Sequence, residues 1–166
     1  LLCKDEPMYS RNAKYLYTHC CVDTHKGFSQ RFGCFMCRMA YPPQGGLNSA
    51  FWLLPMYGSY GRLYSAFVGE APNLGLSEID VIEATVNWNN KYCISEHYYD
   101  YTDGYAHKQR SQYVQLDGNI TDFHTYSCVW QEDALYYYCD NELVMATTGL
   151  TMQSVDGREP LPVYML

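Results

Sequence analysis

Three carboxylates, Glu78, Asp80 and Glu83, stand inside a run that otherwise reads as a buried β-strand, Glu78-Ile79-Asp80-Val81-Ile82-Glu83. Ile79, Val81 and Ile82 are β-branched and favour strands. Alternate side chains of a strand point to opposite faces, so Glu78 and Asp80 share one face and Ile79 takes the other. Perfect alternation would send Glu83 away from them. One extra residue, a β-bulge around Val81-Ile82, would bring Glu83 back, and bulges re-aim side chains beside active sites. Three acids on one face repel one another. One chemistry that such crowding would serve is glycosidic-bond cleavage, which uses one ionised and one protonated carboxyl. Crowding makes it hard to ionise all three at once, so one proton stays at the site.

The elements that must position this strand read as nearly all β. Candidate strands are Tyr15–Thr24, Gln30–Ala40, Ser49–Pro55, Ser77–Ala84, Lys91–Tyr99, Gln112–Leu116, His124–Gln131 and Ala134–Cys139. Turn signals at Pro42-Pro43-Gln44-Gly45-Gly46, Asp103-Gly104, Asp117-Gly118-Asn119 and Asp156-Gly157 separate them. Gln131-Glu132-Asp133 reads as the polar loop of a hairpin, and Asp140-Asn141 turns the chain into Glu142–Met145. Many short strands with regular turns predict a single all-β domain over residues 1–166, a sandwich or jelly roll. Met56–Leu76 has no clear period. Such a long loop, feeding directly into Glu78, is a candidate cleft wall.

Composition narrows the function. The formal net charge is −7, and no cluster of Lys and Arg offers a footprint for a nucleic-acid backbone. No stretch approaches 18 apolar residues, so no membrane-spanning helix is expected. Tyr is abundant, 18 against 6 Phe and 3 Trp, which suits amphipathic rings at grooves as well as in a core. The eight cysteines allow disulfides or simple burial, and spacing does not give a connectivity. Cys34 and Cys37 form a C-x-x-C, but three positions along a strand means opposite faces, which is wrong for a zinc knuckle. Asn119-Ile120-Thr121 is a glycosylation sequon on a turn.

The ordered blocks resemble glycoside hydrolase family 16. Glu78–Glu83 looks like its E-x-D-x-x-E signature. Phe28–Phe35 resembles the strand ending in G-x-F/Y-E-x-R, and Gly46–Pro55 the segment G-x-x-x-A-F-W-L-L-P. Phe123-His124-Thr125-Tyr126 with Trp130 is similar to F-H-x-Y-x-x-x-W, and Tyr136–Asp140 to the strand after it. The resemblance covers roughly positions 15 to 166. It implies a β-jelly-roll of two curved antiparallel sheets with a substrate cleft on the concave face. It also implies retaining, endo-acting hydrolysis of a β-linked polysaccharide by a protein acting outside the cell or in the periplasm. Glu78 would be the nucleophile, Glu83 the general acid/base, and Asp80 would hold the nucleophile between them. β-1,3-glucan of the laminarin type is the first substrate, with agarose, porphyran or carrageenan as alternatives. A non-catalytic glycan-binding jelly roll is the competing class.

Four further residues are substrate-binding candidates. Ser95-Glu96-His97-Tyr98 is similar to the family strand that carries a histidine beside the acid/base, so His97 would bond the substrate or Asp80, or else anchor a neighbouring strand. Trp52 and Asn48 share one face, suited to stacking a sugar ring and binding a hydroxyl, although Trp52 also fits a core position. Trp88 follows Glu83 closely enough to reach the cleft. Tyr57, Tyr60, Tyr64 and Phe67 are looser candidates. His124 is expected to be structural and His107 to face solvent. Many relatives carry Trp-Pro ahead of the catalytic strand, and Pro72-Asn73-Leu74-Gly75-Leu76 stands there instead. The chemistry needs no cofactor and no catalytic metal; the resemblance allows a structural calcium whose ligands the sequence does not assign. Both ends are expected to lack family strands, leaving a core with poor solubility or with partner strands supplied from elsewhere.

Overall fold

The computed structural model describes residues 8–10, 13–15, 21–55, 74–100, 106–149 and 163–166. Among the described residues eleven strands run in chain order: β1 Met8–Ser10, β2 Ala13–Tyr15, β3 Gly33–Met39, β4 Ser49–Pro55, β5 Leu74–Ala84, β6 Lys91–Asp100, β7 Ala106–Gln115, β8 His124–Trp130, β9 Ala134–Cys139, β10 Glu142–Thr148 and β11 Val163–Met165. They form a five-stranded sheet of order β11-β4-β5-β6-β7, a four-stranded sheet of order β10-β9-β8-β3, and a small β1-β2 hairpin. All pairings are antiparallel. A single 3-10 turn, Val86–Trp88, is the one helical piece among the described residues.

The two large sheets pack face to face. Phe51, Leu53, Ile79, Ile82, Tyr92 and Ile94 from one meet Phe35, Tyr126, Cys128, Trp130, Leu135 and Tyr137 from the other. Apart from Ile79 and Ile82 these residues alternate along their strands, and that alternation leaves the opposite face of the five-stranded sheet for polar side chains. The hairpins follow from their turn chemistry. Asp140 and Asn141 have φ of 48° and 71°, the left-handed pair that matches the twist of the flanking strands, and Asp and Asn tolerate it well.

Several boundaries differ from the sequence reading. The strand expected over Tyr15–Thr24 is confined, in the described residues, to Ala13–Tyr15; Cys21–Thr24 is irregular and leads into a turn, where Gly27 and Phe28 donate to Thr24 O. β5 begins at Leu74, three residues inside the expected loop, and β7 extends back to Ala106. β10 continues beyond Met145 to Thr148. Gln30 makes only an isolated bridge, to Val163, outside β3. Tyr57, Tyr60, Tyr64 and Phe67, and the turns at Asp103-Gly104 and Asp156-Gly157, lie outside the described residues. Cys34 is exposed and Cys37 packs towards the core, so this C-x-x-C splits across the strand as alternation requires. The six described cysteines are free thiols.

Candidate active site

β5 carries the irregularity that the carboxylate spacing demanded. Against β4, Phe51 pairs with Ile82 but Trp52 pairs with Asp80, so Val81 is the extra residue. Against β6, Asp80 pairs with Ser95 and Glu83 with Cys93, three residues facing two. Both neighbours register the same bulge. Ile79, Val81, Ile82 and Ala84 consequently all enter the core. Glu78, Asp80 and Glu83 lie on the other face, opposite His97, Ser95 and Cys93 respectively. Magnitudes explain why this register wins. Regular alternation would expose Ile82, forfeiting roughly 1.5–3 kcal/mol of burial. It would also drive the Glu83 carboxylate into the core at a cost of several kcal/mol. Repulsion among the three acids, of which Glu78 and Glu83 keep contact with water, is weaker than that sum.

The same face gathers the other polar groups. His97 Nε2 stands 3.0 Å from Asp80 Oδ2 and 4.0 Å from Glu78 Oε1. Asp80 is only 2% exposed. Its Oδ2 has no well-aligned hydrogen-bond donor among the described residues, and His97 Nε2 at 3.0 Å is the polar group that faces it. Asn48 Nδ2 donates to Glu83 Oε1 at 3.4 Å. Trp52 pairs with Asp80 on this face and is half-buried. The alternative core position for Trp52 is therefore corrected: the core side of β4 belongs to Phe51 and Leu53. Trp88 packs partly on the core and meets Tyr113 edge-on, ring centroids 5.5 Å apart, at the Glu83 end of the face. Gly45 allows the loop before Asn48 to close on that end, since a Cβ there would lie 2.6 Å from Asn87 Oδ1.

Burial raises the carboxyl pKa values here. Glu78 is pushed up to about 7, first by loss of water and then by the neighbouring Asp80 charge. Glu83 is also raised, by burial and then by Asp80, with the Asn48 hydrogen bond pulling the other way. The contact with Asp80 raises His97, and burial opposes it. The cluster therefore retains a proton near neutrality, as acid/base work by paired carboxyls requires.

Sequence reasoning missed several residues of this face. Ser95 and Ser111 share a hydroxyl contact of 3.1 Å, and Cys93 Sγ lies 3.4 Å from Ser95 Oγ. Tyr113 pairs with Cys93 and is exposed. His107, expected to face only solvent, is exposed but places Nε2 3.1 Å from His97 Nδ1. Alternation on β7 was the available signal, and the strand's early start at Ala106 hid it. His124 is structural as expected, held between Asp140 Oδ2 at 2.6 Å and Asn119 O at 3.2 Å.

Two groups of described residues bring metal-ligating atoms together: Glu78 with Asp80 and His97, and His124 with Cys139 and Asp140. Calcium takes six to eight oxygens. Each group contains an imidazole and the second a thiol, so neither is a calcium donor set.

Comparison with known proteins gives this geometry a context. The sequence profile of glycosyl hydrolases family 16 matches residues 9–164. The chain is 28% identical over 153 residues to the endo-1,3-1,4-beta-glycanase ExsH of Rhizobium meliloti, covering 92% of this chain and 27% of that protein. It is 29% identical over 133 residues to a beta-glucanase of Rhodothermus marinus, covering 76% of this chain and 41% of that one. The fold matches the laminarinase catalytic domain of Thermotoga maritima at a TM-score of 0.66 and 19% identity, covering 98% of this chain and 62% of that one. It matches LamA of Z. galactanivorans, in complex with laminaritriose and laminaritetraose, at 0.72 and 19%, covering 98% and 63%. The chain thus spans about a quarter of the length of ExsH and less than two thirds of these solved domains. With the profile matching nearly all of its length and its two-sheet fold shared with these enzymes, the chain belongs to glycosyl hydrolase family 16.

Proposed function

We propose that this chain is the catalytic core of a retaining endo-β-glycanase in which Glu78 attacks the anomeric carbon and Glu83 protonates the departing glycosidic oxygen. Water, deprotonated by Glu83 in its second role, then releases the sugar from Glu78. Asp80 sits between them and ties the nucleophile to the charge of His97. The observation that carries this reading is the bulge at Val81, because it spends a residue to turn Glu83 onto the face of Glu78 and Asp80. Trp52 offers an apolar face for a sugar ring, Asn48 a donor beside Glu83, and Trp88 with Tyr113 an aromatic rim at the same end. No cofactor enters these steps.

The proposed substrate is β-1,3-glucan or a mixed-linkage β-glucan, acted on outside the cytoplasm. The names of the relatives support this class. The replacement of Trp-Pro by Pro72-Asn73 keeps a galactan in view as the second reading. Release of reducing sugar from laminarin, lichenan, agarose, porphyran and carrageenan would be compared for the chain and for Glu78→Gln. Retention predicts that the first product observed by NMR is the β-anomer. Binding without release by the unaltered chain would instead support a glycan-binding jelly roll.

A further inference from the structure

His107 is the residue of the polar face that the catalytic reading leaves without a task. It lies on β7, two positions before Gln109, which pairs with His97, so it reaches His97 diagonally across the sheet. The two rings are nearly parallel, 8° apart, with centroids 5.1 Å from one another. The contact is Nδ1 of His97 to Nε2 of His107 at 3.1 Å. The other nitrogen of His97 is committed to the buried Asp80 oxygen at 3.0 Å. That leaves few proton arrangements. A single proton joins the two rings, because an N–H on both facing nitrogens would collide. An uncompensated Asp80 charge, 2% exposed, is expensive. The arrangement that compensates it makes His97 an imidazolium, with Nε2–H facing Asp80 and Nδ1–H donating to Nε2 of His107.

We propose that His107 is a positioning residue that accepts from His97 Nδ1 and so holds His97 as the cation facing Asp80. The consequence for the site is an assignment of protons. With His97 charged beside Asp80, the proton retained by the cluster is left to Glu78 and Glu83, whose carboxyls burial pushes up. The acidic groups acting on His97 are Glu78, Asp80 and Glu83 from β5; the Cys93 thiol lies further along its own strand, opposite Glu83. From β4 the side chains on this face are the uncharged Ala50 and Trp52, with Asn48 just before the strand. The link to turnover rests on the hydrolase reading above; the link between the two rings does not.

The test uses the whole chain with labelled histidine and follows the His97 Cε1–H resonance with pH. His107→Gln retains an acceptor oxygen, whereas His107→Lys offers only donors and a like charge. Both are polar replacements at an exposed position, so both are expected to fold. The His97 midpoint should stay within about half a unit in H107Q and fall by at least about one unit, a tenfold change in its proton affinity, in H107K. Turnover of laminarin should follow, with kcat about tenfold lower in H107K, KM within twofold, and both close to the parent in H107Q. Equal His97 midpoints in H107Q and H107K would overturn the proposal. If the parent chain cleaves no β-glucan while the His97 midpoint still separates the two variants, the hydrolase reading fails and the histidine pair stands.

Discussion

Glu78→Gln should make the protein more stable while removing its chemistry, and the gain should depend on pH. Glu78 titrates near 7 in the folded chain against an ordinary value of 4.5, chiefly because burial strips water from its charge. The folded state thus binds this proton more tightly than the unfolded state does. Stability from the group is fully present below about pH 4.5 and is lost as pH rises through about 7. The full difference of 2.5 units (7 − 4.5) corresponds to about 3 kcal/mol. That is a ceiling. The side chain is 24% exposed and its raised pKa depends in part on the neighbouring Asp80 charge, so about 1–2 kcal/mol is the working expectation. Glutamine matches the protonated acid in shape and cannot ionise, so the variant escapes the loss. Urea unfolding of both proteins at pH 5 and pH 8 measures it. The midpoint of the variant should exceed the parent's at pH 8 and nearly coincide with it at pH 5, with similar m-values. An advantage of equal size at both pH values would show that ionisation of Glu78 is not the strain being relieved. A loss of stability at pH 8 would show that the attraction of the Glu78 charge to His97 outweighs its desolvation.

Three further outcomes follow from the same geometry. Glu83→Gln should lower kcat on unactivated β-glucan by about 10²–10⁴-fold, the usual worth of a general acid; an aryl glycoside with a good leaving group should lose far less in its first step, and equal losses on both substrates would remove Glu83 from that role. Deleting Val81 restores plain alternation, so either Glu83 enters the core or Ile82 leaves it; unfolding at a urea concentration the parent tolerates, with loss of activity in any folded fraction, is expected, and a stable active deletion would refute the bulge argument. Asn141→Gly, at φ 71°, should raise stability by up to about 0.5 kcal/mol in chemical denaturation and leave activity unchanged, because glycine adopts the left-handed turn at no steric cost.

What was legible in the sequence was whatever is written in alternation and in turns. Ile79 and Ile82 could both be core residues only if the strand carried one residue too many, so the Val81 bulge was deducible before any coordinates. Asp140-Asn141 announced its turn by residue type alone. Partnership across strands was not legible, because register depends on where both strands begin. Asn48 meets Glu83 through the β4–β5 register, and His107 meets His97 through a strand that starts six residues earlier than Gln112 suggested. Glu96 shows the same limit from the inner side of the sheet. Its neighbour His97 faces the polar cluster, so alternation sends the Glu96 carboxylate between the sheets, where it is fully buried. Nothing local warns that Tyr137 and Thr147, from the opposite sheet, will be there to donate to it, with Arg110 Nη1 4.0 Å away. Burial pushes the Glu96 pKa up and those donors pull it down, so the acid is tolerated because the second sheet supplies partners. The same strand pair thus carries an acid cluster on one face and a hydrogen-bonded acid on the other. Only the first, crowded on a polar face and with its protons shared, has the arrangement that chemistry requires.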